Sequence, residues 1–313
     1  MVKDEIKVVK RVSKHINFYA RSWNRQVATR YIFEKDTIIL ESMLIKHYSD
    51  ELLKDITVEI SNMYGCPVCC RFCSSGAIKP IKELEVEDYI QQVEKCLELE
   101  KINPNDYENF YVSFEGIGEP SIVAEKIVFA STRLREKYPH IRFNIASFGF
   151  NYNGFDTLIK SNIALRTIQI PFYQFENRKL NEVIDNIPLN YTFEKTLKKA
   201  IELNISKDTK RKVKVNYVVL KGINDDDWTV NDFTELVSKY KDSVIVKVSF
   251  LNETVLSKMR GFVSPEIERM NYISNHLKEN GVESYVFGTD FNCELGCGQV
   301  ISKYMEEVSE KCN

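Results

Sequence analysis

Strand-like and helix-like segments alternate along most of this 313-residue chain, and that alternation limits its fold more than any other feature. DITVEIS (55–61) reads as a strand and VEDYIQQVEKCLELEK as a helix with an apolar stripe. ENFYVSFEG (108–116) reads as a strand and AEKIVFASTRLREKY as a helix. The order continues through IRFNIASFG, FDTLIKSN, LRTIQIPF, FEKTLKKAIEL, KVKVNYVVLKG, VNDFTELVSKY, VIVKVSF, PEIERMNYISNHLKENG and VESYVF. Strands separated by helices pair in parallel through crossovers, which predicts an α/β fold. Roughly six or seven such units suggest a barrel-like sheet rather than a doubly wound one, although periodicity alone does not separate the two. Ahead of them, YIFEKDTIILESMLI suggests a small hairpin. The expected organisation is a basic N-terminal extension (1–54), a barrel (55–290) and a cysteine-containing tail (291–313).

The segment GCPVCCRFCSSG (65–76) places Cys66, Cys69, Cys70 and Cys73 within eight positions. No run of eighteen apolar residues exists, so no membrane span is expected. MVKDEIKVVKRVSKH lacks the apolar core of a secretory signal, which predicts a cytoplasmic protein. In a reducing compartment, clustered thiols are metal ligands or catalysts more often than disulfides. Cys66, Cys70 and Cys73 form C-x3-C-x2-C directly after a strand, a spacing that can ligate three irons of a [4Fe–4S] cubane. The fourth iron is then open to a substrate or cofactor. A structural zinc would need Cys69 as well, immediately beside another ligand, which is awkward geometrically. Cys96, inside a helical stretch, reads as a small buried hydrophobe.

Formal net charge is −2, so the whole chain is not a nucleic-acid magnet. Residues 1–30 nevertheless carry Lys3, Lys7, Lys10, Arg11, Lys14, Arg21, Arg25 and Arg30 against Asp4 and Glu5, with Phe18, Tyr19, Trp23 and Tyr31 among or beside them. This pattern suits phosphate contact with base stacking, or a solvated helix face followed by a packed hairpin.

C-x3-C-x2-C after the first strand of a βα alternation, with Phe72 before the last cysteine, resembles the radical S-adenosylmethionine (SAM) superfamily. The resemblance implies a partial (β/α)6 TIM-type barrel, SAM bound at the unique iron, and a flavodoxin- or ferredoxin-type electron donor. FEGIGEP (114–120) resembles the superfamily's motif for the SAM amino group, with Gly118 and Glu119 as its working residues.

TDFNCELGCGQV (289–300) narrows the likeness to the class A radical SAM methylases, which include ribosomal RNA adenine methyltransferases. GCPVCCRFCSSG, VSFEGIGEP, NIASFG, VNYVVLKGIND, VSFLNET and the CGQ tail occur in the family's order. The resemblance implies that Cys297 accepts a methyl group and passes it to an sp² carbon, with RNA adenine as the default substrate. It places Glu119, Ser147 and Asn252 against SAM and Phe72 near its adenine. The family's second cysteine falls at Glu59, which cannot form a disulfide but can act as a base. Cys293 or Cys69 would then stand in for it. A small metabolite or peptide substrate, modified without methyl transfer, is the alternative. The tail admits two further readings, an auxiliary cluster on Cys293, Cys297 and Cys312, or a loop of buried thiols.

Overall fold

A computed structural model describes residues 5–16, 25–49, 51–288, 295–296 and 298–311. Its strands are β1 (Lys7–Ile16), β2 (Arg25–Lys35), β3 (Ile38–Ser49), β4 (Leu52–Ile60), β5 (Met63–Tyr64), β6 (Lys82–Glu83), β7 (Asn109–Phe114), β8 (Arg142–Ala146), β9 (Leu165–Phe172), β10 (Val213–Val218), β11 (Val244–Ser249) and β12 (Ser284–Phe287). Its helices are α1 (Ser74–Ala77), α2 (Val86–Leu99), α3 (Ala124–Lys137), α4 (Tyr152–Lys160), α5 (Leu180–Val183), α6 (Phe193–Ser206), α7 (Asp227–Ser238), α8 (Val255–Met259), α9 (Ile267–Glu279) and α10 (Gln299–Lys311).

One sheet carries the molecule, in the order β1-β2-β3-β4-β7-β8-β9-β10-β11-β12. From β4 to β12 neighbouring strands are parallel, and β1 to β4 form an antiparallel meander that continues the same sheet. The described part of the basic N-terminus is thus a strand and not a helix face. Its cations meet acids of the same chain: Lys10 Nζ lies 2.6 Å from Glu307 and Arg11 2.7 Å from Glu100. Phe18, Tyr19 and Trp23 lie outside the described residues.

Local sequence explains the helices. Glu85 and Asp88 close a capping box at the start of α2, whose Tyr89, Ile90, Val93, Cys96 and Leu97 are buried along one stripe. Thr192 caps α6 through Lys195 N, and Asp226 caps α7 through Thr229 N. Strand residues alternate as sharply. Val58, Ile60, Val112, Phe114, Phe143, Ile145, Ile168, Ile170, Val213, Val215, Val246 and Val248 are fully buried and belong to the main core. The intervening residues, among them Thr57, Ser113, Asn144, Thr167, Gln169, Asn216 and Ser249, line a cavity of about 440 Å³. A closed TIM barrel fills that space with branched apolar side chains. This open sheet leaves it polar and hollow.

Candidate functional site

The cysteine loop sits at the carboxyl end of β4, where a parallel sheet presents its ligand sites. Cys66, Cys70 and Cys73 are partly exposed free thiols, and all three line the cavity. The loop is held from outside. Arg71 N donates to Val183 O at 2.8 Å, Asn186 Nδ2 to Pro67 O at 2.7 Å, and Thr254 Oγ1 to Phe72 O at 3.1 Å. Phe72 meets Tyr173 and Phe262 edge-on, with centroids 5.2 and 6.0 Å away. Burial pushes the Cys66 and Cys70 thiols up, and neighbouring acidic groups add to the rise. Cations bound there would reverse that balance, because coordination deprotonates a thiol.

Among the described residues no three His, Cys, Asp or Glu side chains gather as ligands of a single metal ion. A cubane asks for something different, since each thiolate meets its own iron and the three need not converge. The donor set fits such a group: three cavity-facing thiols on one short, pinned loop. Cys69 differs from them. Its Sγ bonds to Cys66 O at 3.4 Å and Gly76 O at 3.7 Å, and Lys79 Nζ donates to it at 3.6 Å.

The loop after β7 brings a carboxylate beside the thiols. Glu119 is 3% exposed, yet it reaches the cavity. Its Oε1 accepts from Ser121 N at 3.0 Å, from Ser121 Oγ at 2.6 Å and from Ser147 Oγ; its Oε2 accepts from Phe148 N at 2.9 Å. Four donors fix the carboxylate before any ligand arrives. Gly118 has φ +108°, and a side chain there would collide with Met63 at 2.7 Å. Ser147, at the end of β8, serves Glu119 and lines the cavity itself. Asn252, after β11, also lines it and packs so tightly on Gly296 that a Cβ there would lie 2.6 Å from Asn252 Cγ.

Glu59, on β4, faces the same space and is bound by Arg30, with Nη1 3.2 Å from Oε1. Arg30 is 1% exposed and also lies 3.2 Å from Glu41, which is fully buried. The trio reaches the tail: Arg30 Nε donates to Leu295 O at 3.0 Å, and Glu41 accepts from Gly298 N at 3.2 Å and Ile301 N at 3.1 Å. Charges at the start of α10 are thus met by a carboxylate, as helix N-termini favour. Cys293, Cys297 and Cys312 lie outside the described residues.

Nothing in the sequence reading singles out Glu41, and Arg30 counts there only among the basic residues suited to phosphate contact, whereas it is 1% exposed and paired with Glu41 and Glu59. The available signal was a lone charge in each of two apolar strands, VATRYIF and IILESMLI. Lys247 carries the same signal in VIVKVSF, and Lys214 alternates with valines in KVKVNYV, where Lys212 is a second charge.

Residues 60–234 match the family model of the radical SAM superfamily. A probable dual-specificity RNA methyltransferase RlmN of Thermotoga maritima is 27% identical over 291 residues, covering 90% of this chain and 78% of that protein. The corresponding protein of Streptococcus mutans is 27% identical over 305 residues, covering 90% and 76%. Among solved structures, a radical SAM methyltransferase from Sphaerobacter thermophilus superposes with a TM-score of 0.71 at 20% identity, covering 94% of this chain and 80% of that one. That structure shares the α/β architecture with its parallel sheet. The family match implies a [4Fe–4S] cluster and SAM as cofactors. With more than half its length matched and a thiol loop and carboxylate that fit those groups, the chain belongs to the radical SAM superfamily.

Proposed function

We propose that the chain is a radical SAM methyltransferase acting on an sp² carbon of an adenine in RNA. The observation that carries the reading is the meeting, in one polar cavity, of three thiols, a pre-bonded carboxylate and the tail that flanks residue 297. The relatives named as RNA methyltransferases support the substrate class. They give no support to a small metabolite or peptide.

Cys66, Cys70 and Cys73 would hold the cluster, which supplies the electron that cleaves SAM. Glu119 would receive the SAM ammonium. Ser147 and the Phe148 amide keep that carboxylate aimed, so little reorganisation accompanies binding. Phe72 and Asn252 would border the nucleoside part. Cys297 would carry the methyl group to the substrate, and Arg30 and Glu41 hold the residues on both sides of it. Glu59 stands where the family has a second cysteine and offers a base in its place. A flavodoxin- or ferredoxin-type protein would deliver the electron.

The test is product analysis with cluster-loaded, anaerobic protein, SAM and an adenosine-containing RNA. S-adenosylhomocysteine and 5′-deoxyadenosine should appear together in comparable amounts. 5′-Deoxyadenosine without S-adenosylhomocysteine, with RNA present, would exclude methyl transfer.

A further inference from the structure

Trp228, one of two tryptophans in the chain, is 71% exposed. A ring of that size is normally buried. Its place in the fold is specific. β10 ends at Val218, on the cavity wall, and the loop from there leads into α7, whose second residue is Trp228. Tyr173 lines the same cavity, and the next residue, Gln174, donates from Nε2 to Thr229 Oγ1 at 3.1 Å and to Ile223 O at 2.8 Å. Trp228 therefore stands on the rim of the cavity, at the carboxyl end of the sheet where the thiol loop also lies.

The ring is held in place. The Arg178 guanidinium lies 5.0 Å from the Trp228 ring centroid, and it is fixed by Asp232 and by Thr229 Oγ1, to which Nη1 donates at 3.3 Å. Beside Trp228, Asp227 bonds Arg269 at 2.7 Å, and Arg269 lies 4.6 Å from the ring of Tyr272, which is 44% exposed. Aromatic rings and guanidinium groups thus recur along this rim. The acids among them are engaged. Asp225 accepts from Gly222 N at 2.7 Å, Asp226 caps α7, and the two arginines hold Asp227 and Asp232. Arg178 covers one side of the indole, and the other is left to solvent.

We infer that Trp228 is a stacking platform for a base next to the target adenosine in the RNA strand. A strand whose target base enters the cavity crosses the rim with its neighbours, and an unpaired base offers a flat face to the indole. A pile of guanidinium, indole and base adds cation–π attraction to base stacking. One ring bordered by charges suits a single base better than a protein partner, whose interfaces take about 800 Å² on each side. The charges of the segment cancel, with Arg178, Lys179, Lys221 and Arg269 against Asp225, Asp226, Asp227 and Asp232. Hence the platform should tolerate any base and add nothing to the salt dependence of binding. The inference rests on the reading of RNA as substrate.

The test uses full-length, cluster-loaded protein under anaerobic conditions and a single-stranded heptaribonucleotide with a central adenosine. Trp23→Phe leaves Trp228 as the sole tryptophan, and RNA should quench its emission. By anisotropy with labelled RNA, Trp228→Leu should weaken binding at least about fivefold, the lower end of what one base–aromatic stack contributes. Trp228→Phe should lose less, and Trp228→Leu should keep the wild-type slope of log K against log salt. On an RNA with abasic positions on both sides of the adenosine, Trp228→Leu should cost nothing. Phe129→Leu, at a ring 63% exposed on α3, should change nothing. An unchanged affinity in Trp228→Leu, or an equal loss on intact and abasic RNA, would overturn the platform. The quenching needs no change at Trp228, so a misfolded variant does not rescue the idea. Wild type that binds RNA and forms both products, without quenching, removes the platform and leaves the RNA reading standing. Wild type that binds no RNA removes both. Unchanged RNA binding with slower reduction of the cluster by a reduced flavodoxin in Trp228→Leu would assign this surface to the electron donor and likewise overturn the proposal.

Discussion

Arg30→Met tests whether one guanidinium sustains the charge of the site's inner wall. Arg30 and Glu41 are 1% and 0% exposed at their side chains, and Glu59 is 12% exposed. Methionine keeps much of the volume and removes the charge. Breaking a buried ion pair from one side costs about 3–5 kcal/mol, because the partner is left uncompensated. The cost should depend on pH. Burial is the largest influence on Glu41 and raises its pKa; Arg30 opposes the rise and Glu59 adds to it. Without Arg30 the value climbs further. A carboxyl whose folded pKa exceeds its unfolded one contributes fully below the unfolded value and loses that contribution as pH rises through the folded one. The variant should therefore lose about 3–5 kcal/mol near pH 7.5 and less near pH 5, as read by urea unfolding. Adding Glu41→Gln should return more than about 1 kcal/mol of the sum of the single effects. A loss equal at both pH values, or below about 1 kcal/mol, would refute the claim that Arg30 compensates buried carboxylates.

Glu119→Gln removes the charge and sets an amide NH2 against at least one buried donor, the Phe148 N–H or those on the other oxygen, so SAM affinity should fall by at least about tenfold in equilibrium binding and urea unfolding should show a loss of about 1–3 kcal/mol. Gly154→Ala places a Cβ 1.8 Å from Ser121 O, on the residue that orients Glu119. It should cost about 3 kcal/mol or more in urea unfolding, since the obstacle is backbone. Glu100 is acted on most strongly by burial, which raises its pKa, but hydrogen bonds from Lys46, Tyr31 and Arg11 outweigh that and lower it to about 2. Its contribution to stability is present above the ordinary value and lost as pH falls through about 2. Glu100→Gln should therefore be less stable than wild type above about pH 5, and the difference should vanish near pH 2.

The fold was legible because the two faces of each strand differ so strongly. Val213, Val215 and Tyr217 are fully buried between sheet and helices, while Lys214 and Asn216 look into the cavity. The thiol loop and Glu119 were legible because both lie in short motifs, close in sequence and adjacent in space. Arg30 and Glu41 were not, since their meaning comes from pairing across β2 and β3, where Arg30 opposes Met43 and only long side chains bring the charges together. Arg166 was hidden for another reason. Strict alternation assigns it to the outer face, and a bulge turns it inward. The strand in the basic N-terminus escaped because KVVKRVSKHI carries charges on both faces and shows no clean period of two.

The family resemblance implies a crosslink between the substrate and Cys297 through the transferred carbon, and the placement of Glu59 bears on how it would be released. A carboxylate cannot exchange with a thioether or form a disulfide, so any thiol that performs this step must come from elsewhere. Cys69 is near in sequence but turned away: its Sγ is engaged by Cys66 O, Gly76 O and Lys79 within the loop. To reach the cavity it would have to give up those contacts and displace the loop that carries Cys70, whose carbonyl accepts from Cys73 N at 3.0 Å. A thiol so tied is a structural part of the loop. Cys69→Ser should therefore retain iron content and product formation within about twofold of wild type, with at most a modest loss of stability from weaker packing. Iron retained with product formation abolished, and an RNA–protein crosslink accumulating, would instead identify Cys69 as the releasing thiol. In the expected case the role passes to Glu59 acting as a base or to Cys293, four residues before Cys297, and Cys293→Ala in the same assay separates those two.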